Sequence, residues 1–94
     1  MVLYNKYLTQ EIAMHIYTYN ADIGTFEIRQ TGHKRYELWI DDEILGTYEN
    51  AEFAAEDVAR FNTGYAEWDR WENELGNYPA NLSEWSKVNE ESQE

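Results

Sequence analysis

Apolar and polar residues alternate with a period of two through the first half of the chain, as they do in β-strands with one buried face. Over residues 25–30, Phe26 and Ile28 fall on one side and Glu27 and Arg29 on the other. Turn-forming residues separate this segment from its neighbours. The predicted strands, all of this kind, cover residues 12–19, 25–30, 35–40 and 44–48.

The period becomes helical after the last of these strands. Asn50 is a good N-cap, and Ala54, Val58 and Phe61 follow at spacings that place them on one side of a helix. We expect a helix from Asn50 to Phe61 that ends at residues 62–64, where a glycine can take a left-handed conformation.

A second helix is predicted from Tyr65 to Leu75, with a glycine directly after its end. Its residues Trp68 and Trp71 share one side and are expected in the core, because a small domain must bury its large aromatic groups. Leu82 and Trp85 are expected to fold the C-terminal segment back onto the domain.

Together these elements predict an α+β fold in which an antiparallel four-stranded β meander packs against one or two α-helices. The length suits one domain, which we assign to residues 1–88, followed by an acidic C-terminal tail at residues 89–94. The pattern over residues 1–11 is ambiguous between helix and other structure. The expected core consists of Phe26, Ile28, Leu38, Ile40, Ala54, Val58 and Phe61.

Charge is distributed unevenly along the chain. Nineteen acidic and seven basic residues give a net charge of −12. Sixteen of the acidic residues follow Tyr36, together with only three basic ones. An excess of this size repels itself, destabilises the compact state and steers oppositely charged molecules inward. We therefore expect the partner to present a basic protein surface.

Several features of the composition concern the cellular setting. The chain has no cysteine, no run of about 18 apolar residues, and no signal-peptide h-region near its first residue. We expect a cytoplasmic protein with no membrane partner. The sequence leaves open whether it is a monomer or a homodimer.

Catalytic and metal chemistry find little support in the sequence. The histidines are His15 and His33, and the serines lie only at positions 83, 86 and 92, with no nucleophile-elbow motif. Residues 41–43 place three carboxylates in one turn, but without the ligand spacing of a calcium loop. We expect no enzyme, no metal site and no cofactor.

The stretch Leu45–Tyr48, followed by Ala51–Ala55, resembles the strand–helix junction of plant AP2-type DNA-binding domains. That resemblance implies a sheet that presents arginine and tryptophan side chains to DNA. The outward positions here include Glu27, Glu37 and Glu43 instead, and binding to DNA depends on neutralising several phosphates at once. We expect no direct binding of nucleic acid and keep an AP2-like domain as a lesser alternative.

Acidic side chains on the predicted helices and on one hairpin are the candidate binding site. Their spacing along these elements is expected to imitate the phosphates of a nucleic acid. Trp39 points away from the predicted core and is the candidate aromatic anchor at an interface. The predicted partner-binding set is Asp41, Asp42, Glu43, Glu49, Glu52, Glu56, Asp57, Glu67, Asp69, Glu72, Glu74 and Trp39.

A short, cysteine-free, acidic and aromatic-rich chain of this design resembles small proteins of phages and mobile elements, among them anti-CRISPR proteins and other nucleic-acid mimics. Residues 64–69 (Gly-Tyr-Ala-Glu-Trp-Asp) resemble part of the acidic helix of a type I anti-CRISPR. The resemblance implies an inhibitor that occupies a basic groove of a nucleic-acid-binding protein or complex through phosphate mimicry. The alternative is a small structural or regulatory adaptor whose acidity serves solubility.

Overall fold

A computed structural model describes residues 15–89 of the protein. The predictions for residues 1–11, for the start of the first strand at residues 12–14 and for residues 90–94 of the acidic tail lie outside this range. Asn89, the first residue of the predicted tail, is the last residue of a strand. The described part is an α+β fold, as the sequence predicts: an antiparallel sheet carries one main helix on one of its faces.

The sheet has five strands in the described part of the chain, one more than the meander predicted from sequence. They are β1 (His15–Ala21), β2 (Gly24–Gly32), β3 (Arg35–Ile40), β4 (Glu43–Tyr48) and β5 (Ser86–Asn89). Their spatial order is β4-β3-β2-β1-β5, and every neighbouring pair is antiparallel. The first four strands pair in chain order, as a meander does.

Strand β5 is the strand that the sequence pattern missed. It is four residues long, and Ser86 and Lys87 give it no apolar alternation. It forms because the chain returns along the open edge of β1, where Ile16 pairs with Val88 and Thr18 pairs with Ser86. An unpaired sheet edge offers backbone donors and acceptors to any such segment, so pairing here does not depend on side-chain pattern.

Helix α1 spans Ala51–Ala59. The Asn50 side chain caps it by accepting a hydrogen bond from the Phe53 amide at 2.8 Å, which confirms the predicted N-cap. The helix packs on the sheet with small residues, because Ala51, Ala54, Ala55 and Val58 are its buried positions. Small side chains let the helix axis approach the sheet closely.

The end of α1 differs from the prediction. The helix ends two residues before Phe61, and Phe61 itself adopts the left-handed conformation with φ of 55°. Gly64 also has a positive φ, of 86°, but it lies in the following loop. Phe61 keeps this unfavourable conformation because its ring stacks on Trp68, with centroids 4.7 Å apart and planes 12° apart.

The rings of Phe61, Trp68 and Trp85 complete the core beside α1. Trp68 lies edge-on to Phe26 at 5.1 Å, and Trp85 lies 6.3 Å from Phe26. The Trp68 indole also donates a hydrogen bond to the Val58 carbonyl at 3.0 Å, so burial leaves no unpaired indole N–H there. All seven predicted core residues are buried, together with Trp68 and Trp85.

The second predicted helix is much shorter than the Tyr65–Leu75 segment. Helix α2 spans only Ala66–Asp69 and continues as turns. Asn73, inside the predicted helix, has φ of 69°, which an α-helix does not accommodate. Trp68 is therefore a core residue as predicted, whereas Trp71 is only partly buried.

Gly46, in β4, lies beside the ring of Tyr48. A Cβ atom at Gly46 would lie 3.4 Å from the ring of Tyr48. That distance is an ordinary van der Waals contact, so the structure gives no steric reason for a glycine at this position.

Replacement of Phe61 tests the balance between ring burial and backbone strain. We expect Phe61→Ala to lower the free energy of unfolding by about 3–5 kcal/mol, since it removes a buried ring. Phe61→Gly should cost about 1 kcal/mol less, because glycine adopts the left-handed conformation without a Cβ penalty. Urea unfolding of both variants measures the difference. A larger loss for glycine than for alanine would show that Phe61 is not strained.

Candidate functional site

The outer face of the sheet, opposite α1, carries balanced charges. Arg29 pairs with Glu27 at 2.6 Å, and Arg35 lies 3.7 Å from Glu37. The Arg29 guanidinium also lies 4.3 Å from the ring centroid of Trp39, whose indole donates to Glu37 at 3.0 Å. Trp39 thus points away from the core, as predicted, but it is half-buried within this network rather than a free anchor.

The opposite side of the molecule carries most of the charge. Residues 49–85, which we call the helical layer, contain nine acidic and two basic side chains. The two are Arg60 and Arg70; Arg60 pairs with Glu56 at 2.7 Å, and Arg70 lies 5.4 Å from the ring of Trp71. The negative charge is therefore concentrated on the layer that covers the inner face of the sheet.

Two of the predicted site residues hold this layer together. Asp57 accepts a hydrogen bond from the Tyr48 hydroxyl at 2.8 Å. Asp69 accepts from the Thr63 hydroxyl at 2.7 Å and from the Gly64 amide at 2.8 Å, which fixes the loop before α2. Burial raises the pKa of Tyr48 well above its usual value, and the hydrogen bond and charge of Asp57 add to that effect.

Three further predicted residues also have partners within the fold. Asp41 accepts from the Thr25 amide at 3.0 Å, and Glu67 accepts from the Tyr65 hydroxyl at 2.6 Å. Glu56 is the partner of Arg60. These five carboxylates stabilise local structure, because each accepts a hydrogen bond or forms an ion pair within the fold. They are therefore less available to an external partner.

The remaining predicted carboxylates have no hydrogen-bond or ion-pair partner among residues 15–89, and all are exposed to solvent. They are Asp42, Glu43, Glu49, Glu52, Glu72 and Glu74. We call this set the free carboxylates. Four of them, at positions 49, 52, 72 and 74, belong to the helical layer.

The carboxylates extend from one end of the sheet to the other. Glu43 is the first residue of β4, next to Asp41 and Asp42, whereas Glu49 and Glu52 follow the other end of that strand, at the start of α1. Burial raises the pKa values of Tyr17 and Tyr36, and the charge of Glu52 adds to both effects. The predicted residues therefore form a band along the molecule rather than one compact patch.

A groove runs beside the exposed side of α1. It has a volume of about 330 Å³ and is lined by Glu52, Phe53 and Glu56 from the helix and by Ala80–Leu82 from the segment that follows. Half of the Phe53 surface is exposed (50%). The groove joins an exposed aromatic ring to two of the predicted carboxylates.

A larger cleft lies between the β1–β2 hairpin and the turn that follows α2. Its volume is about 450 Å³, and aromatic rings line much of it: Tyr19 on β1, and Trp68 and Trp71 on the other wall. Asp22 is the one acidic residue in its lining. The sequence pattern does not reveal this cleft, because it places Trp71 in the core and gives no sign that the turn containing Asp22 lies near it.

The described residues offer no other arrangement with evident chemistry. Within residues 15–89, no group of three histidine, aspartate or glutamate side chains is placed to hold a metal ion. No hydrogen bond joins a serine to a histidine in this range; the Ser83 hydroxyl binds Asn81, and the Nδ1 atom of His15 has no partner there.

Comparisons with protein-family models, with curated proteins and with solved structures found no match to this chain. The helices between residues 15 and 89 are all too short or too polar to cross a membrane. Inference about function therefore depends on the charge and shape of the surface described above.

The Tyr65–Glu67 hydrogen bond is open to direct measurement. This bond, more than any other contact, raises the pKa of Tyr65 to about 12. Because the native state holds this proton more tightly than the unfolded chain does, the associated stability is complete below about pH 10 and is lost as the pH rises toward 12.

Replacing Glu67 with glutamine should lower the pKa of Tyr65 toward the ordinary tyrosine value, since the negative charge of the acceptor is removed. Alkaline titration of tyrosine absorbance measures the shift, and Tyr65→Phe identifies which part of the curve belongs to Tyr65. An identical titration curve for Glu67→Gln and the unmodified protein would contradict the assignment.

Proposed function

We propose that this protein is an acidic interaction protein that inhibits a nucleic-acid-binding protein or complex, as anti-CRISPR proteins do, by occupying its basic groove through phosphate mimicry. It acts in the cytoplasm as a monomer or a homodimer, without catalysis and without binding nucleic acid itself. The observation that carries the proposal is the separation of charge between the two faces of the sheet.

That separation is hard to attribute to solubility alone. A solubilising surface needs charge of one or both signs spread over the molecule. Here the outer face pairs Glu27 with Arg29 and Glu37 with Arg35, whereas the helical layer holds nine acidic and two basic side chains. A concentrated field of one sign raises the rate of encounter with a partner of the opposite sign.

The free carboxylates supply the groups that a basic groove requires. An exposed carboxylate with no internal partner can accept charge-assisted hydrogen bonds from arginine and lysine without first breaking a contact in its own fold. Glu52 in α1 and Glu72 and Glu74 after α2 are of this kind. Their distribution along the helical layer suits an elongated, basic surface such as a nucleic-acid channel.

The alternative, a structural or regulatory adaptor whose acidity serves solubility, has one observation in its favour. Asp57 and Asp69 bind Tyr48, Thr63 and Gly64 within the fold, so part of the acidity serves structure. The adaptor would use its grooves rather than its charge. The two functions therefore differ in which variants abolish partner binding.

Affinity capture tests the proposal. The protein is used as bait in a bacterial lysate at low and high salt, and the captured proteins are identified. We expect a nucleic-acid-binding protein that is released at high salt, and we expect added DNA to compete with the bait for it. Tight binding of duplex DNA by the protein alone, in a mobility-shift assay at physiological salt, would revive the AP2-like alternative.

A matched pair of variants separates the helical layer from net charge. The first replaces four free carboxylates by glutamine: Glu49, Glu52, Glu72 and Glu74. The control adds four lysines to the outer face, at Thr18, Thr31, Thr47 and Ser86, and so reaches the same net charge. At low salt we expect the association rate constant of the first variant with the captured partner to fall about tenfold or more. The association rate constant of the control should stay near that of the unmodified protein. Equal loss in both variants would assign binding to net charge alone, and no loss in either would favour the adaptor.

A further inference from the structure

The cleft between the β1–β2 hairpin and the turn after α2 combines aromatic residues with an acidic residue, and both attract cations. Its volume, about 450 Å³, lies within the range of about 300–1,000 Å³ that is typical of ligand pockets. Tyr19, Trp68 and Trp71 are the aromatic residues of its lining, and Asp22 is its one acidic residue. Aromatic faces attract cations because the ring quadrupole is negative at its face.

The same molecule places its own cations on aromatic rings. Arg29 lies 4.3 Å from the centroid of Trp39, and Arg70 lies 5.4 Å from that of Trp71. Trp71 is shared between the cleft and a second, shallower depression that it forms with Arg70 and Glu74. Arg70 thus stands at one side of the Trp71 ring, and no basic side chain lines the cleft.

Further negative charge lies beside the hairpin that forms one wall. The Asp41 carboxylate accepts a hydrogen bond from the Thr25 amide, and it lies so close to Gly24 that a Cβ atom there would come within 2.5 Å of it. This contact brings the acidic β3–β4 turn against the turn that contains Asp22. Charges of one sign around an apolar cleft focus the field inside it.

We propose that this cleft receives an arginine side chain presented by the basic partner. Arginine fits better than lysine, because its planar guanidinium can stack on an indole and donate two hydrogen bonds to one carboxylate. A neutral apolar side chain would offer neither a hydrogen bond nor a charge to Asp22. The proposal rests on the proposed function for the identity of the partner, but the cleft and its preference can be tested without that partner.

The probe is N-acetylarginine amide at physiological salt, with N-acetylcitrulline amide as the uncharged control of nearly the same shape. Indole N–H resonances in a ¹⁵N-labelled sample report the site of binding. We expect the Trp71 resonance to shift with the arginine probe, the citrulline probe to leave it unchanged, and the Trp39 resonance on the outer face to stay in place.

Two variants test the residues named. Asp22→Asn changes an exposed side chain and leaves the fold intact, whereas Trp71→Leu removes the ring. Because Trp71→Leu lacks the reporting indole, the backbone amide resonance of Gly76, which also lines the cleft, follows binding in all variants. We expect Asp22→Asn and Trp71→Leu each to weaken binding of the arginine probe about threefold or more, and Trp39→Leu, the control on the outer face, to have no effect. Equal shifts with both probes, no shift with either, or unchanged binding by Asp22→Asn would overturn the proposal.

The variant with four glutamines in the helical layer distinguishes this inference from the proposed function. Its replaced residues do not line the cleft, so it should still bind the arginine probe. If the unmodified protein binds the arginine probe at Trp71 but captures no nucleic-acid-binding partner, the inhibitor function is refuted and the arginine site remains. If the unmodified protein captures the partner, the four glutamines abolish that capture, and no probe binds, the arginine site alone is refuted.

Discussion

A nine-residue helix cannot cover a five-stranded sheet, and most of the architecture follows from that shortage. Helix α1 is about 13 Å long at 1.5 Å per residue, whereas β2, also nine residues, extends about 30 Å. Three aromatic rings cover what the helix leaves open: Phe61, Trp68 and Trp85. The Trp68 indole ties this cover to α1 through the Val58 carbonyl, and Phe61 accepts a left-handed backbone to remain stacked on Trp68.

Because turns and short helices cover the inner face of the sheet, hydrogen bonds to polar side chains are needed to fix those turns and helices in place. Asp57 and Asp69 do this, and their carboxylates are accordingly bound within the fold. The free carboxylates have no such task among the described residues, yet they lie on the same layer. Because the outer face balances its own charges, the excess on the helical layer is the property of the surface that structure alone does not explain.

Sequence pattern predicted the parts of the fold in which each residue's burial follows from its neighbours. Alternation located β2 to β4, and the cap at Asn50 located α1. The pattern failed where strand pairing depends on residues far apart in the sequence, because β5 forms on the edge of β1 without an apolar alternation of its own. The left-handed Phe61 was equally hidden, since only its contact with Trp68 favours it. Composition identified the acidic residues, but only the fold separates bound from free carboxylates and brings Asp22 opposite Trp71.

We propose that the free carboxylates of the helical layer serve recognition of a basic partner at the expense of stability. Thermal unfolding of the variant with glutamine at positions 49, 52, 72 and 74 tests it most directly, in comparison with the unmodified protein at low and high salt. We expect a higher midpoint for the variant at low salt, and a smaller difference at high salt, because salt already screens the repulsion between the carboxylates. A lower midpoint for the variant would show instead that these carboxylates stabilise the fold.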